Sequence, residues 1–317
     1  VLQATWPCLS FYLRDRQIAL HTQLIYYWVM KTSLHHLPEN KQQELQRAVD
    51  IICTSIHPEM LILFGSYARG NWVEELGADG FYYKYQSDFD FLIVTTTPRQ
   101  AMKVETNGSL WNQLSHRSKT PVSIIAHDIE FFNRRIRKGQ YFFSDIKKEG
   151  ILLYNSEKFQ LAETRELSAK ERKNIAQSDF EYWFDSAKEF ILDFRSCLNR
   201  KNYTKAAFEL HQAVERFYST ILLVFTHYKP STHDLEKLSK RVASFESQFL
   251  SVFPTATEEE KLRFQLLRKA YVDARYKPSY SITQQQLEWL ADRVEHLQQL
   301  TETLCKQKID SFYNEED

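Results

Sequence analysis

The chain is short of glycine, cysteine and uncompensated charge. All seven glycines of the 317 residues lie at or before Gly150, so tight turns are expected in the first half and few left-handed positions in the second. The four cysteines (Cys8, Cys53, Cys197, Cys305) are scattered, with no Cys-x-x-Cys pair. Neither a zinc site nor a disulfide framework is indicated, and the chain suits a reducing, cytoplasmic setting. Lys+Arg and Asp+Glu balance at 41 each, so no long-range attraction to nucleic acid or anionic membrane is built into the total. No apolar run approaches membrane-spanning length. The length leaves room for two domains, each with its own core.

Residues 1–29 are unusually aromatic, up to Tyr26-Tyr27-Trp28, and lack the ordered regions of a signal peptide. Met30-Lys31-Thr32-Ser33-Leu34 reads like a natural start. The expectation is that residues 1–29 are a miscalled upstream extension or a poorly ordered arm.

Up to about Tyr154 the chain alternates short apolar runs with helical patterns: 40–56, 61–64, 89–95, 121–127, 128–138 and 151–154. That is an α/β pattern. The run Leu61-Ile62-Leu63-Phe64 reads as a buried strand broken by Gly65-Ser66. Glycine lets backbone N–H groups approach a phosphate closely, and the Ser66 hydroxyl adds a donor. The run Phe89 to Val94 reads as a second strand with Asp88 and Asp90 at its entrance. Alternation along a strand puts both carboxylates on one face. Such a pair repels itself unless a cation sits between, and oxygen ligands select Mg²⁺ or Mn²⁺. The basic cluster Arg134-Arg135-x-Arg137-Lys138 reads as a solvated helix face, with a phosphate or RNA role as its rival.

Gly65-Ser66-Tyr67-Ala68-Arg69-Gly70 and Asp88-x-Asp90 resemble the signature of the polymerase-β-like nucleotidyltransferases, and most of all the minimal nucleotidyltransferases. The resemblance covers roughly residues 40 to 155. It implies that Asp88 and Asp90 hold Mg²⁺ or Mn²⁺, and that Gly65, Ser66 and Arg69 hold the β- and γ-phosphates of a nucleoside triphosphate, ATP by default. The nucleoside monophosphate would pass to a hydroxyl of a small molecule or a protein. Two departures stand out. The spacer from Ser66 to Asp88 is long and carries Trp72, Glu74, Glu75, Gly77, Asp79 and Gly80, read as an acidic loop or a solvated insertion. The family's third carboxylate would fall on the strand Val122 to His127, at Ser123. His127 shares its face and Asp128 follows at its end, so both are candidates for the general base.

Residues 155–170 are polar and read as a linker. From Glu171 onward the period is helical. Phe180, Trp183, Phe184, Ala187, Phe190, Ile191 and Phe194 form one apolar face, Ala206 to Ile221 another, and Leu287 to Leu304 a third. Connections are expected near 229–233 and 252–257, at Pro230 and Pro254. This predicts an up-and-down bundle of four or five helices, so the whole is α+β followed by all-α, with a polar tail at 309–317. Leu210-His211-Gln212-Ala213-Val214-Glu215, His233-Asp234-Leu235 and Asp273-Ala274-Arg275-Tyr276 resemble landmarks of HEPN domains, over roughly 171 to 308. That resemblance implies company with minimal nucleotidyltransferases, toxin–antitoxin roles and dimerisation through the bundle. Many HEPN domains are ribonucleases that use an Arg, then four to six residues, then a His. Arg275 fits, but Tyr276 to Ser281 contain no histidine, so Arg275 is read as a remnant that supports the fold by pairing with an acid. His211 and His233 read as packing or capping residues. Tyr276 and Tyr280 are candidate self-modification sites, with simple packing as the rival. The rival functions are a nucleotide sensor without turnover and a residual ribonuclease.

Overall fold

The computed structural model describes residues 30–73 and 86–312. The expectations for residues 1–29, most of the acidic loop and most of the polar tail lie outside them. The first element is α1 (Glu39–Ile56), whose Leu45, Ala48, Val49 and Ile52 recur at helical spacing and are buried. His57 ends it in the left-handed conformation. Then come β1 (Met60–Phe64), the one-turn α2 (Gly65–Arg69), β2 (Phe89–Thr95), α3 (Pro98–Glu105), α4 (Gly108–Arg117), β3 (Val122–Asp128), α5 (Ile129–Arg137), α6 (Tyr141–Glu149) and β4 (Ile151–Asn155). The four strands order as β3-β2-β1-β4. β2 and β3 run parallel, and β1 is antiparallel to both β2 and β4.

The strands are apolar on both faces because both are covered. Leu61, Leu63, Phe89, Phe91 and Ile93 share a core with α1, α3 and α4. Ile62, Leu92, Val94 and Ile125 face the other way, against α5 and α6. Helices α3, α4 and α6 carry no long periodic run, and the sequence pattern does not announce them. Local caps start two of them: Thr97 and Gln100 form a capping box before α3, and Asn107 caps α4.

The second half is helical: α7 (Ala169–Asn199), α8 (Tyr203–Thr226), α9 (Leu235–Ala243), a 3₁₀ turn (Ser247–Ser251), α10 (Glu258–Tyr276) and α11 (Gln284–Ser311). Capping boxes open α7 (Ser168, Glu171), α10 (Thr257, Glu260) and α11 (Thr283, Gln286). Helix α8 is the hub. Ala206, Leu210, Val214, Phe217 and Ile221 are buried, and α7, α9, α10 and α11 all pack on it. Trp183 and Phe190 of α7 are only half-buried and hold the Arg216 guanidinium between them. The chain is therefore a mixed α+β protein: a small four-stranded sheet with helices, then a helical bundle.

The two halves are welded at the end of α8. The Tyr141 hydroxyl donates to the Leu223 and Val224 carbonyls at 3.1 and 3.0 Å. The Gln140 amide donates to the His227 carbonyl. Tyr228 joins the core of the sheet domain, stacked on Phe142 at 4.4 Å with its rim against Phe143. A chain pinned at Tyr228 has few residues left before α9 begins. That anchor holds α9 beside the open end of the sheet.

Candidate active site

Gly65 begins the turn after β1 with φ 75°, a conformation that L side chains avoid. The turn closes with Gly70 at φ 83°, whose N–H returns to the Ser66 carbonyl. Between them Tyr67 is fully buried, stacked on Trp72 at 5.5 Å and tilted against Phe89 at 4.6 Å. His36 Nε2 donates to the Tyr67 carbonyl at 2.7 Å. The rigid turn faces β2 closely: a Cβ on Gly65 would overlap Asp90 Oδ2. Glycine is required by φ and by space at once.

Asp90 lies level with Phe64 on one side and Ser123 on the other. A cavity of ≈ 1460 Å³ opens over this strand end, and Gly65, Ser66, Arg69, Asp88 and Asp90 all line it. The five residues that sequence reasoning grouped thus meet in one place. The carboxylates are uncomfortable there. Burial, then the neighbouring Asp88 charge, pushes Asp90 up to about 7, against the pull of Arg241, Ser123 and Arg69. Burial raises Asp88 as well, opposed by Lys240 and Arg241.

A divalent cation would relieve both groups. Two carboxylates at the edge of a roomy cavity suit Mg²⁺ or Mn²⁺, which take remaining ligands from water and substrate phosphates. Among the described residues, no three His, Cys, Asp or Glu groups form a cluster that could hold a metal. Asp88 and Asp90 alone would hold such an ion only where substrate and water complete its shell. Arg69 stands at the cavity rim, 3.9 Å from Glu149 across two half-exposed side chains.

The two candidates for a general base lie elsewhere. In the β2–β3 register Ser123 is level with Asp90, and His127 with Val94. Four residues of strand carry His127 roughly 13 Å along the sheet. Its ring stacks on Phe131 at 4.1 Å, its Nε2 lies 3.1 Å from the Tyr228 hydroxyl, and burial pushes it down to about 4. It is a neutral packing residue at the domain weld. Asp128 caps α5, accepting from the Phe131 N–H at 2.9 Å. Period-2 alternation gives the face of a strand correctly but not the depth along it, and depth removes both candidates. The basic cluster Arg134 to Lys138 forms the last turn of α5, with Arg134 and Arg135 over the Phe131 ring.

Among the cavity residues that escaped the sequence reading, three bear most on the carboxylate pair. Asp145, on α6, is pushed up to about 6 by burial and by Glu149. Lys240 and Arg241 reach the cavity from α9. That helix buries Leu235, Leu238 and Val242 and turns Lys237, Lys240 and Arg241 to the other side. A largely basic face, broken by Glu236, opposite an apolar one was the available signal, and it reads equally well as a solvated surface.

The residues singled out in the bundle have structural partners. His211 is buried and its Nδ1 donates to the Leu267 carbonyl at 2.9 Å. His233 Nδ1 lies 2.9 Å from the buried Glu215 carboxylate, its ring stacked on Tyr271 at 4.2 Å. Arg275 does not find an acid partner among the described residues. Instead it donates to the Tyr271 carbonyl and lies over the Phe208 and Tyr271 rings at 5.1 and 4.3 Å. The Tyr280 hydroxyl is committed to the Leu266 carbonyl at 3.0 Å, and burial raises its pKa, which makes it a poor acceptor. Tyr276 is 70% exposed but does not line the cavity. No helix among the described residues is long and apolar enough to cross a membrane.

No curated protein matches the chain. Residues 180–304 match the family model of the HEPN domain, a match that stops short of the sheet. Residues 180–304, which hold α8, α9, α10 and most of α7 and α11, are a HEPN domain.

Proposed function

We propose that the sheet domain is a metal-dependent nucleotidyltransferase and that the HEPN domain closes its cavity. One observation carries this reading: the Gly65-Ser66 turn abuts Asp90 so tightly that no Cβ fits, inside a cavity large enough for a nucleotide. Asp88 and Asp90 would hold Mg²⁺ or Mn²⁺, and the ion would neutralise charge developing on phosphoryl oxygens. The turn N–H groups, the Ser66 hydroxyl and Arg69 hold the β- and γ-phosphates of ATP or another nucleoside triphosphate. Lys240 lines the cavity from the HEPN side, paired with Glu236 at 3.1 Å, and would have to leave that carboxylate to meet the leaving pyrophosphate. An acceptor oxygen forms a bond to the α-phosphorus and the bond to the β-phosphate oxygen breaks. Pyrophosphate leaves, and the acceptor proton passes to cavity water. The acceptor is a hydroxyl of a small molecule or of a protein.

The second reading is a nucleotide sensor without turnover, and Ser123 in place of an acid favours it. A ribonuclease role for Arg275 has less support, because that residue lies on rings of its own bundle, away from the cavity. Pyrophosphate release from labelled ATP with Mg²⁺ or Mn²⁺ separates the readings. A nucleotidyltransferase releases it, and Asp88→Ala/Asp90→Ala lowers the rate by about 1000-fold or more, as expected when groups that stabilise transition-state charge are removed. Nucleotide binding with no release from any triphosphate supports the sensor.

A further inference from the structure

The bundle places a cation where a third carboxylate would stand. Arg241 Nη2 lies 3.5 Å from Ser123 Oγ, a long contact between part-buried groups. Ser123 in turn is the β3 residue level with Asp90. Arg241 thus shares the cavity with the carboxylate pair, contacts the strand on the side away from Gly65, and its charge opposes the upward shift of both Asp88 and Asp90. Its neighbours are tied up: Glu236 binds Lys240 at 3.1 Å and Arg268 at 2.5 Å. Arg241 has no carboxylate within 4.0 Å among the described residues, although two stand across the cavity edge. Its position is set by the domain weld at Tyr228 and by the buried face of α9, so its placement is built into the fold.

Resting on the nucleotidyltransferase reading, we infer that Arg241 is a catalytic residue that takes the place of a second metal ion, so this site works with one divalent cation and one guanidinium. The charge count supports it. Exchanging an acid for a serine and adding an arginine makes the locality more positive by two units, which disfavours a second divalent cation there. The guanidinium offers N–H donors in a planar fork to the nonbridging oxygens of the α-phosphoryl group, where charge develops as the acceptor oxygen arrives. It donates hydrogen bonds only, and the proposal moves no proton through it.

Counting bound Mn²⁺ by electron paramagnetic resonance, with saturating α,β-methylene-ATP, tests this directly. The wild-type protein should hold one Mn²⁺ per chain, and Ser123→Asp/Arg241→Ala should hold two. Arg241→Ala should keep one Mn²⁺ and bind the analogue within a few-fold of wild type. Its pyrophosphate release from ATP should fall about 100-fold, in the range for losing one preorganised donor. Arg241→Lys should recover part of that loss, with thermal melts confirming that each variant is folded. Two Mn²⁺ on the wild-type chain, or wild-type turnover by Arg241→Ala, would overturn the role of Arg241 and leave the nucleotidyltransferase reading standing. No binding of Mn²⁺ or analogue to the wild-type chain would instead remove the nucleotide site, and this inference with it.

Discussion

Two buried carboxylates, Glu215 in the bundle and Asp90 in the sheet domain, sit in opposite surroundings. In the bundle, Glu215 lies on α8 with His233 Nδ1 at 2.9 Å and Lys229 Nζ at 4.0 Å, so opposite or potential positive charge surrounds it. At the open end of the sheet, Asp90 is buried beside a second carboxylate and is pushed up to about 7. The contrast is not one of fold class. Glu44, in the same domain as Asp90, is also buried, yet the Thr120 and Lys119 N–H groups and the Lys41 charge hold it below the usual carboxylate range. The sheet domain can satisfy a buried acid and does so at α1. That it does not at β2 is what the proposed ligand site at the strand end would explain.

Glu215→Ala should show the largest effect. Losing a buried carboxylate that accepts a charge-assisted hydrogen bond costs about 1.5–3 kcal/mol, and here His233 Nδ1 loses its acceptor at 2.9 Å. A urea-unfolding midpoint that does not move would break the contrast from the bundle side. Gly65→Ala comes next, because it adds a Cβ at positive φ and against Asp90. Strain of that kind costs about 1–3 kcal/mol. Nucleotide affinity should fall further than stability does, since the turn must shift off Asp90, and calorimetric titration with ATP and Mg²⁺ measures it.

Asp90→Asn is the smallest change and the sharpest. The folded Asp90 holds its proton to about pH 7, whereas the unfolded carboxyl releases it near its ordinary value of 3.8. Between those limits the folded state binds more protons, so stability contributed by Asp90 falls as pH rises through that window. The variant should therefore melt a few degrees higher at pH 7 and show a shallower decline from pH 4 to 7. Asp145 and Asp88 are raised too, so part of the slope should persist. A variant that melts below wild type at pH 7 would mean the strand end is not strained.

Much of the fold was legible because its signals are local. The strand 89–95, the broken strand before Gly65 and the long apolar faces of α7, α8 and α11 follow from period and composition. Helices α3, α4 and α6 were not, because eight to ten residues with two buried side chains each carry little periodic signal. At the site, the Gly65 turn and the Asp88–Asp90 pair were visible in order along the chain. His127 and Asp128 were misplaced, since alternation cannot say that one sits at the weld and the other caps a helix.

What the sequence alone determined is therefore the chemistry available: a glycine turn, two neighbouring carboxylates, a serine at the next strand, and a helix with one basic face. What the tertiary structure decided is which of these meet. Asp90 and Gly65 come together through strand pairing, which follows from the apolar pattern. Arg241 reaches Ser123 from 118 residues away, and only because Tyr228 is buried in the other domain's core. Contacts of that range depend on how two separately folded surfaces pack, and no local pattern encodes the angle at which they do.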